Sequence, residues 1–346
     1  MTTLADRHAR LIEEAGKPIR ARDAAARLGT TEAALVASGA TGPATPLRPD
    51  WAALIGAMPQ AGRIMALTRN EHAVHERHGQ FVDVSTGPGH ILVLGPDIDL
   101  RLFPRQWAHA YALGGERPSI QTFDKDGVAA HKIFATEATD RDGWARILAD
   151  FAVEAAAEPP AAPPAAPAGT ADEGVVDASA LRQDWLALRD THDFFPMLRR
   201  HRASRRQAFV LAGQDLALKL VPQAGAEVLR LAAARAVPVM VFVGNRAAIQ
   251  IHTGPVDRLL DIPGWFNVLD PDFNLHLREA GVASAWRVVK PTEDGAITSI
   301  ELLDASGEVI ALLFGARKPG EREREDWREI AALAAERHAV PAEHAA

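Results

Sequence analysis

The hydrophobic pattern changes character twice along the chain. Over "ARDAAARLGTTEAALVAS" (21–38) apolar positions recur every three to four residues, which predicts helix. From residue 62 they come in short alternating or β-branched runs, "GRIMALTRN", "HILVLG" and "IDLRLF", which predict strands. The same change then recurs. "LRQDWLALRDTHDFFPMLRRHRASRRQAFVLAG" (181–213) has helical spacing, and "PVMVFVGNRAAIQIHTG", "AWRVVKP", "ITSIELLD" and "EVIALLFG" read as strands. Asp126-Gly127, Asp294-Gly295 and Ser306-Gly307 supply turns between consecutive strands. Helices followed by antiparallel strands predict an α+β fold, not the alternation of a parallel α/β fold.

The second pattern resembles the first in its residues too. Met65/Met240, Asn70/Asn245 and Val74/Ile249 share a spacing of 175. "LGPDIDLRL" faces "LDPDFNLHL" at the same spacing, and "FDKDGVAAHKIF" faces "LDASGEVIALLF" at 180, with Gly127 on Gly307. Upstream, "RDAAARLG" sets against "RRQAFVLA" at about 183. Ordered blocks with slowly drifting spacing predict two homologous repeats, each a large antiparallel sheet with helices. Such repeats would pair pseudo-symmetrically with a cleft between the halves. The run "AAAEPPAAPPAAPAGTAD" loses all periodicity. It predicts an Ala/Pro-rich linker over 155–174, between an N-terminal repeat 1–154 and a C-terminal repeat 175–346.

Composition narrows the chemistry. A net charge of −7 over 346 residues argues against nucleic-acid binding. The absence of cysteine excludes disulfides, thiolate metal sites, iron–sulfur clusters and cysteine nucleophiles. The charged N-terminus lacks the apolar core of a signal peptide, and no apolar run is long enough to span a bilayer, so a cytoplasmic protein without membrane insertion is expected. No P-loop, HExxH or dinucleotide fingerprint is present. In "NEHAVHERHG", His72, His75 and His78 fall three apart, a spacing that could serve a metal on a helix. The charged residues around them favour a solvated loop or strand edge.

His192 stands out. Phe194 and Phe195 follow it after Asp193, and Arg199, Arg200, Arg202, Arg205 and Arg206 come next. The plain structural alternative is a helical histidine satisfied by a carbonyl, or by Asp190 or Asp193. With one tyrosine, Tyr111, and no cysteine, histidine is the natural ligand for a borderline metal. Imidazole, aromatic surface and guanidinium together suit a planar ligand with a metal centre and carboxylate tails. Haem has that form.

The chain resembles the bacterial cytoplasmic haemin-degrading or haemin-transport factors of haem-uptake operons. The resemblance runs through both halves, in "ALTRNEHAVHERHG", "LRDTHDFFPML", "VFVGNRAAIQIHTGPV", "WFNVLDPDFNLHL", "VVKPT" and "FGARKPGE". It implies haem as ligand, two α+β halves, and His192 as the proximal axial ligand on iron. It places Arg101 and Phe103 on the distal side, where Arg101 would also be the catalytic group, with Phe194 and Phe195 beside the macrocycle. Arg205, Lys290 and Arg317 would pair with propionates. Should Arg101 not be the distal group, Arg105, His109 and His276 come next. A spacing of 183 sets Ala9 against His192, so one axial site is expected, not two. With no flavin or NAD(P)H motif, degradation would need an external reductase. The sequence leaves open whether haem is degraded or only carried to a separate haem oxygenase.

Overall fold

The computed structural model describes residues 2–163, 174–318 and 320–341. The chain forms two compact units. Unit 1 holds the first repeat to Arg69, resumes at His75, and takes in Gly244–Gln250 from the second; unit 2 holds Asn70–Val74 with the rest of the second repeat.

The first repeat opens with α1 (Leu4–Ala15), α2 (Ala21–Leu28) and α3 (Glu32–Ala37), then β1 (Ala44–Pro46) and α4 (Trp51–Ala57). Strands β2 (Gly62–Arg69), β3 (Ala73–Gly79), β4 (Val84–Gly87), β5 (His90–Leu94), β6 (Asp99–Leu102), β7 (Trp107–Leu113), β8 (Ser119–Asp124) and β9 (Ala129–Thr139) follow, and α5 (Arg141–Phe151) closes it. The second repeat runs in the same order. It has α6 (Ala178–Leu186), α7 (Phe194–His201), α8 (Arg205–Ala212), β10 (Ala217–Leu220) and α9 (Ala224–Ala234). Then come β11 (Val239–Gly244), β12 (Ala248–Gly254), β13 (Leu259–Ile262), β14 (Trp265–Leu269), β15 (Phe273–Arg278), β16 (Ser284–Lys290), β17 (Ile297–Leu303), β18 (Val309–Gly315) and α10 (Glu325–His338).

Within unit 1 the antiparallel order is β1-β7-β8-β9-β2, with β4-β5-β6 as a second ladder. Within unit 2 it is β10-β16-β17-β18-β11, with β13-β14-β15. Helices cover both faces of each larger ladder. In unit 1, Leu54 and Ile55 of α4 and Trp144 and Ile147 of α5 pack with Ile64, Ile120 and Ile133. Ala33 and Val36 of α3 meet Tyr111 and Phe123 in a separate cluster. In unit 2, α9 and α10 share one core with Ile300 and Leu302, while α6–α8 share another with Trp286, Val288 and Leu303. Accordingly β8 and β17 are buried at every position, as expected of strands covered twice. A polar residue in either strand must then find a partner inside.

The expected turns form. Asp124 Oδ1 accepts from the amides of Asp126 and Val128, and Asp304 Oδ1 does the same for Ser306 and Glu308. Gly127 and Gly307 supply the positive φ, +74° and +86°. The Asn70 and Asn245 turns also match. Each asparagine oxygen accepts from the two amides that follow within its turn. Asn70 Nδ2 donates to Ile310 O at 2.8 Å, and Asn245 Nδ2 donates to Ala130 O at 3.0 Å. Ala130 and Ile310 are themselves related by the repeat, so the duplication extends to individual hydrogen bonds.

Three expectations change. First, the helical layer aligns at a spacing of 173, not 183. Gly29 and Arg202 both end a helix in the left-handed conformation, and Thr31 and Ser204 both cap the next one, on the amides of Ala34 and Gln207. His192 therefore stands against Ile19, not Ala9. Second, of the solvated loop or strand edge expected for "NEHAVHERHG", it is a strand that forms, and it is largely buried instead of solvated. His72 lies in the turn near Asp304, His75 is fully buried, and His78 is half-buried. A strand turns residues three apart to opposite faces, and no group of metal-ligating side chains occurs among the described residues. Third, the start of the Ala/Pro run is held on unit 1: the hydroxyls of Thr30 and Thr31 donate to Ala161 O and Pro160 O. Residues 164–173 of the expected linker lie outside the described residues. No helix among the described residues is long and apolar enough to cross a membrane.

Candidate functional site

His192 sits in a single 3₁₀ turn, Thr191–Asp193, that leads into α7. Asp190 caps the turn. Its Oδ1 accepts from the His192 amide at 2.7 Å and lies 2.6 Å from His192 Nδ1, while Asp193 Oδ2 accepts from the Asp190 amide at 3.2 Å. The Asp190 carboxyl is held below its usual range, chiefly by the His192 amide, with the imidazole and the Arg317 guanidinium adding to it. His192 itself is 91% exposed. The structure thus bears out Asp190 as its neighbour and still leaves Nε2 open.

Sequence neighbours diverge here. Phe194 is 2% exposed and meets Trp185 edge to face at 4.7 Å. Phe195 is 59% exposed, and the Arg199 guanidinium lies 5.2 Å over its ring. Both phenylalanines were expected to offer open surface, and only Phe195 does. Successive helical residues point about 100° apart. The inward direction is fixed by Phe194, Met197 and Leu198 packing with Trp185 and Phe209. Pro196 falls in the first turn of α7, where its missing N–H costs nothing.

Behind Phe194 lies an ionic cluster. Glu301 on β17 is fully buried. It pairs with Lys290 Nζ and with Arg205 Nη1, both at 2.5 Å, and accepts from Ser299 Oγ at 2.9 Å. The two cations lie over the Phe194 ring at 4.6 Å and 5.2 Å. Burial alone would raise the Glu301 carboxyl, but Lys290 and Arg205 hold it down at about 2. Two cations share one carboxylate, so the cluster keeps a surplus positive charge. Arg317 is anchored separately, to Glu321 O at 2.6 Å and Asp294 at 3.4 Å.

Arg101 and Phe103 belong to unit 1. Leu100 and Leu102 of β6 are fully buried, so Arg101 and Asp99 share the other face, where they form an ion pair. Phe103 was expected on that same strand face. The strand ends at Leu102 instead, and Phe103 opens the short turn Pro104–Gln106, its amide donating to Ala247 O. The repeat equivalence of Arg101 and His276 holds in register, since Leu92 faces Arg101 and Asn267 faces His276. His276 Nδ1 is engaged at 2.7 Å by Asn267. His109 is partly buried, and burial pushes its pKa down.

One residue escaped the sequence reading, and another was named only as an alternative. Asp190 was only one alternative partner for His192. Glu301 left a faint signal, a lone acid in the apolar run "ITSIELLD".

The polar chemistry gathers in the second copy of a two-repeat α+β scaffold. The chain belongs to the haemin-degrading HemS/ChuX family, whose domain model matches it twice, over residues 29–151 and 202–333. It is 39% identical over 318 residues to a hemin transport protein, HmuS, of Yersinia pestis, covering 89% of this chain and 91% of that one. It superposes on the crystal structure of holo-PhuS, a heme-binding protein from Pseudomonas aeruginosa, with a TM-score of 0.89, 48% identity, and coverage of 95% and 97% of the two chains. It superposes on ChuS, an E. coli heme oxygenase, with a TM-score of 0.86, 37% identity, and coverage of 96% and 99%.

Proposed function

We propose that this chain binds one haem in the cytoplasm, with His192 Nε2 on the iron, and serves haem utilisation and iron acquisition. The observation that carries the reading is the exposed His192 ring, oriented through Nδ1 by Asp190, with the exposed Phe195 three residues further along the chain. A neutral imidazole nitrogen is a common haem ligand, and an aromatic face suits the macrocycle. Arg205 and Arg317 are assigned to the propionates, where charged pairs are the strong contacts. Lys290, buried with Glu301, contributes to the same edge through its charge. Arg101 and Phe103 are assigned to the distal side. The relatives support haem as the ligand: PhuS is described as heme-binding and ChuS as a heme oxygenase.

Bound haem would supply the redox centre, and its degradation would need electrons from an external donor. The test is an absorption titration of the purified chain with haemin, followed by a reductase under oxygen. A histidine-ligated spectrum saturating at one haem per chain is expected. A defined tetrapyrrole product with free iron marks a degrading enzyme, and intact haem passed to a separate oxygenase marks a carrier.

A further inference from the structure

We infer that Asp190 is a positioning residue that sets the electronic character of the His192 ligand and biases bound iron toward the ferric state. The inference rests on His192 being the iron ligand. A carboxylate only accepts hydrogen bonds, so the 2.6 Å contact requires the proton on Nδ1. The lone pair is then on Nε2, the nitrogen left open for metal. A carboxylate partner on the second ring nitrogen makes a ligating imidazole more basic. His276, the other repeat's partner to Arg101, shows the contrast: its Nδ1 meets the neutral amide of Asn267.

The pair is held in place although His192 is exposed. The same Asp190 oxygen that faces the ring accepts the His192 amide at 2.7 Å, so ring and backbone fix one carboxylate. Asp193 fixes the Asp190 backbone in return. A more basic ligand donates more electron density to iron and stabilises its higher charge. Ligation and basicity are among the levers by which a protein sets haem potential. The prediction is that reduction of the bound haem demands a stronger donor than the same imidazole would without Asp190.

The experiment uses the full chain loaded with haemin, with Asp190→Asn and Asp190→Glu. Asparagine caps a helical turn as well as aspartate, so Asp190→Asn keeps the backbone bond and removes the charge. The readouts are the iron–histidine stretching frequency of the ferrous form, the ferric/ferrous midpoint potential and haem affinity. Asp190→Asn is expected to lower the stretching frequency and to shift the ferric-to-ferrous ratio at fixed potential toward ferrous by about tenfold, equivalent to 59 mV for one electron. Affinity falls by about tenfold, and Asp190→Glu recovers part of each change. If Asp190→Asn matches the parent in frequency and potential, Asp190 is a cap and nothing more. His192→Ala separates the two failures. An unchanged spectrum in that variant overturns the ligand assignment and this inference together. A lost spectrum with an indifferent Asp190→Asn overturns this inference alone.

Discussion

The helical layers of the two repeats share a backbone and carry opposite charges. Glu32 is the first residue of α3 and pairs with Lys132 of β9; Arg205, its equivalent in α8, pairs with Glu301 of β17. An acid at a helix N-terminus agrees with the helix dipole, and a base opposes it. At the preceding helix end the first repeat has Gly29 in the left-handed region, and the second has Arg202 there at φ +52°. Upstream, the first repeat places Ile19 where the second places His192. The second repeat therefore breaks local rules twice within a short stretch, at Arg202 and Arg205, and the first keeps them. Such departures are expected where a site has been built on a fold.

The largest expected effect comes from removing the shared acid. Glu301→Gln leaves Lys290 and Arg205 buried without their carboxylate, so unfolding in urea should show a loss of about 4 kcal/mol. Glu32→Gln strands Lys132, with Arg69 and Arg22 also losing a charge partner, but all three keep some exposure where Lys290 is buried, so the loss should be smaller, about 3 kcal/mol. Equal losses, or the reverse order, would break the comparison.

Acid should separate the units next. Burial pushes His131 of unit 1 down from 6.5 to about 3. The unfolded chain takes up that proton first, so the stability from a neutral His131 is present above about pH 6.5 and is lost as pH falls toward 3. Glu301 of unit 2 is lowered from 4.5 to about 2, so its contribution holds until pH falls below 4.5 and is lost toward 2. Hydrogen exchange at pH 5 should show unit 1 loosening ahead of unit 2, and His131→Gln should abolish the lead.

The smallest effect is at the helix end. Arg202→Gly relieves a left-handed residue and should stabilise the chain by about 1 kcal/mol in thermal unfolding, since glycine is the usual occupant there. The matching change in unit 1, Gly29→Ala, should destabilise.

Much of this was legible beforehand because the signals are local. Periodicity marked α2, α3 and the strands, and Asp-Gly and Ser-Gly pairs marked the hairpins. The spacing of the helical layer was not legible, because Ala- and Arg-rich helices align almost equally well at several offsets; the caps at Thr31 and Ser204 settle it. His192 was legible as a candidate. Which of Phe194 and Phe195 turns inward depends on Trp185, nine residues before Phe194, and no local rule carries that. Glu301 depends on strand burial from both sides, which only the packed helices create.

The account's central claim is that the second repeat alone carries the axial ligand. The most direct measurement is the haemin titration of His192→Ala beside the parent chain. The histidine-ligated Soret and visible bands should appear in the parent and be lost in the variant, with no histidine of the first repeat taking over. An unchanged histidine-ligated spectrum in His192→Ala would contradict the claim.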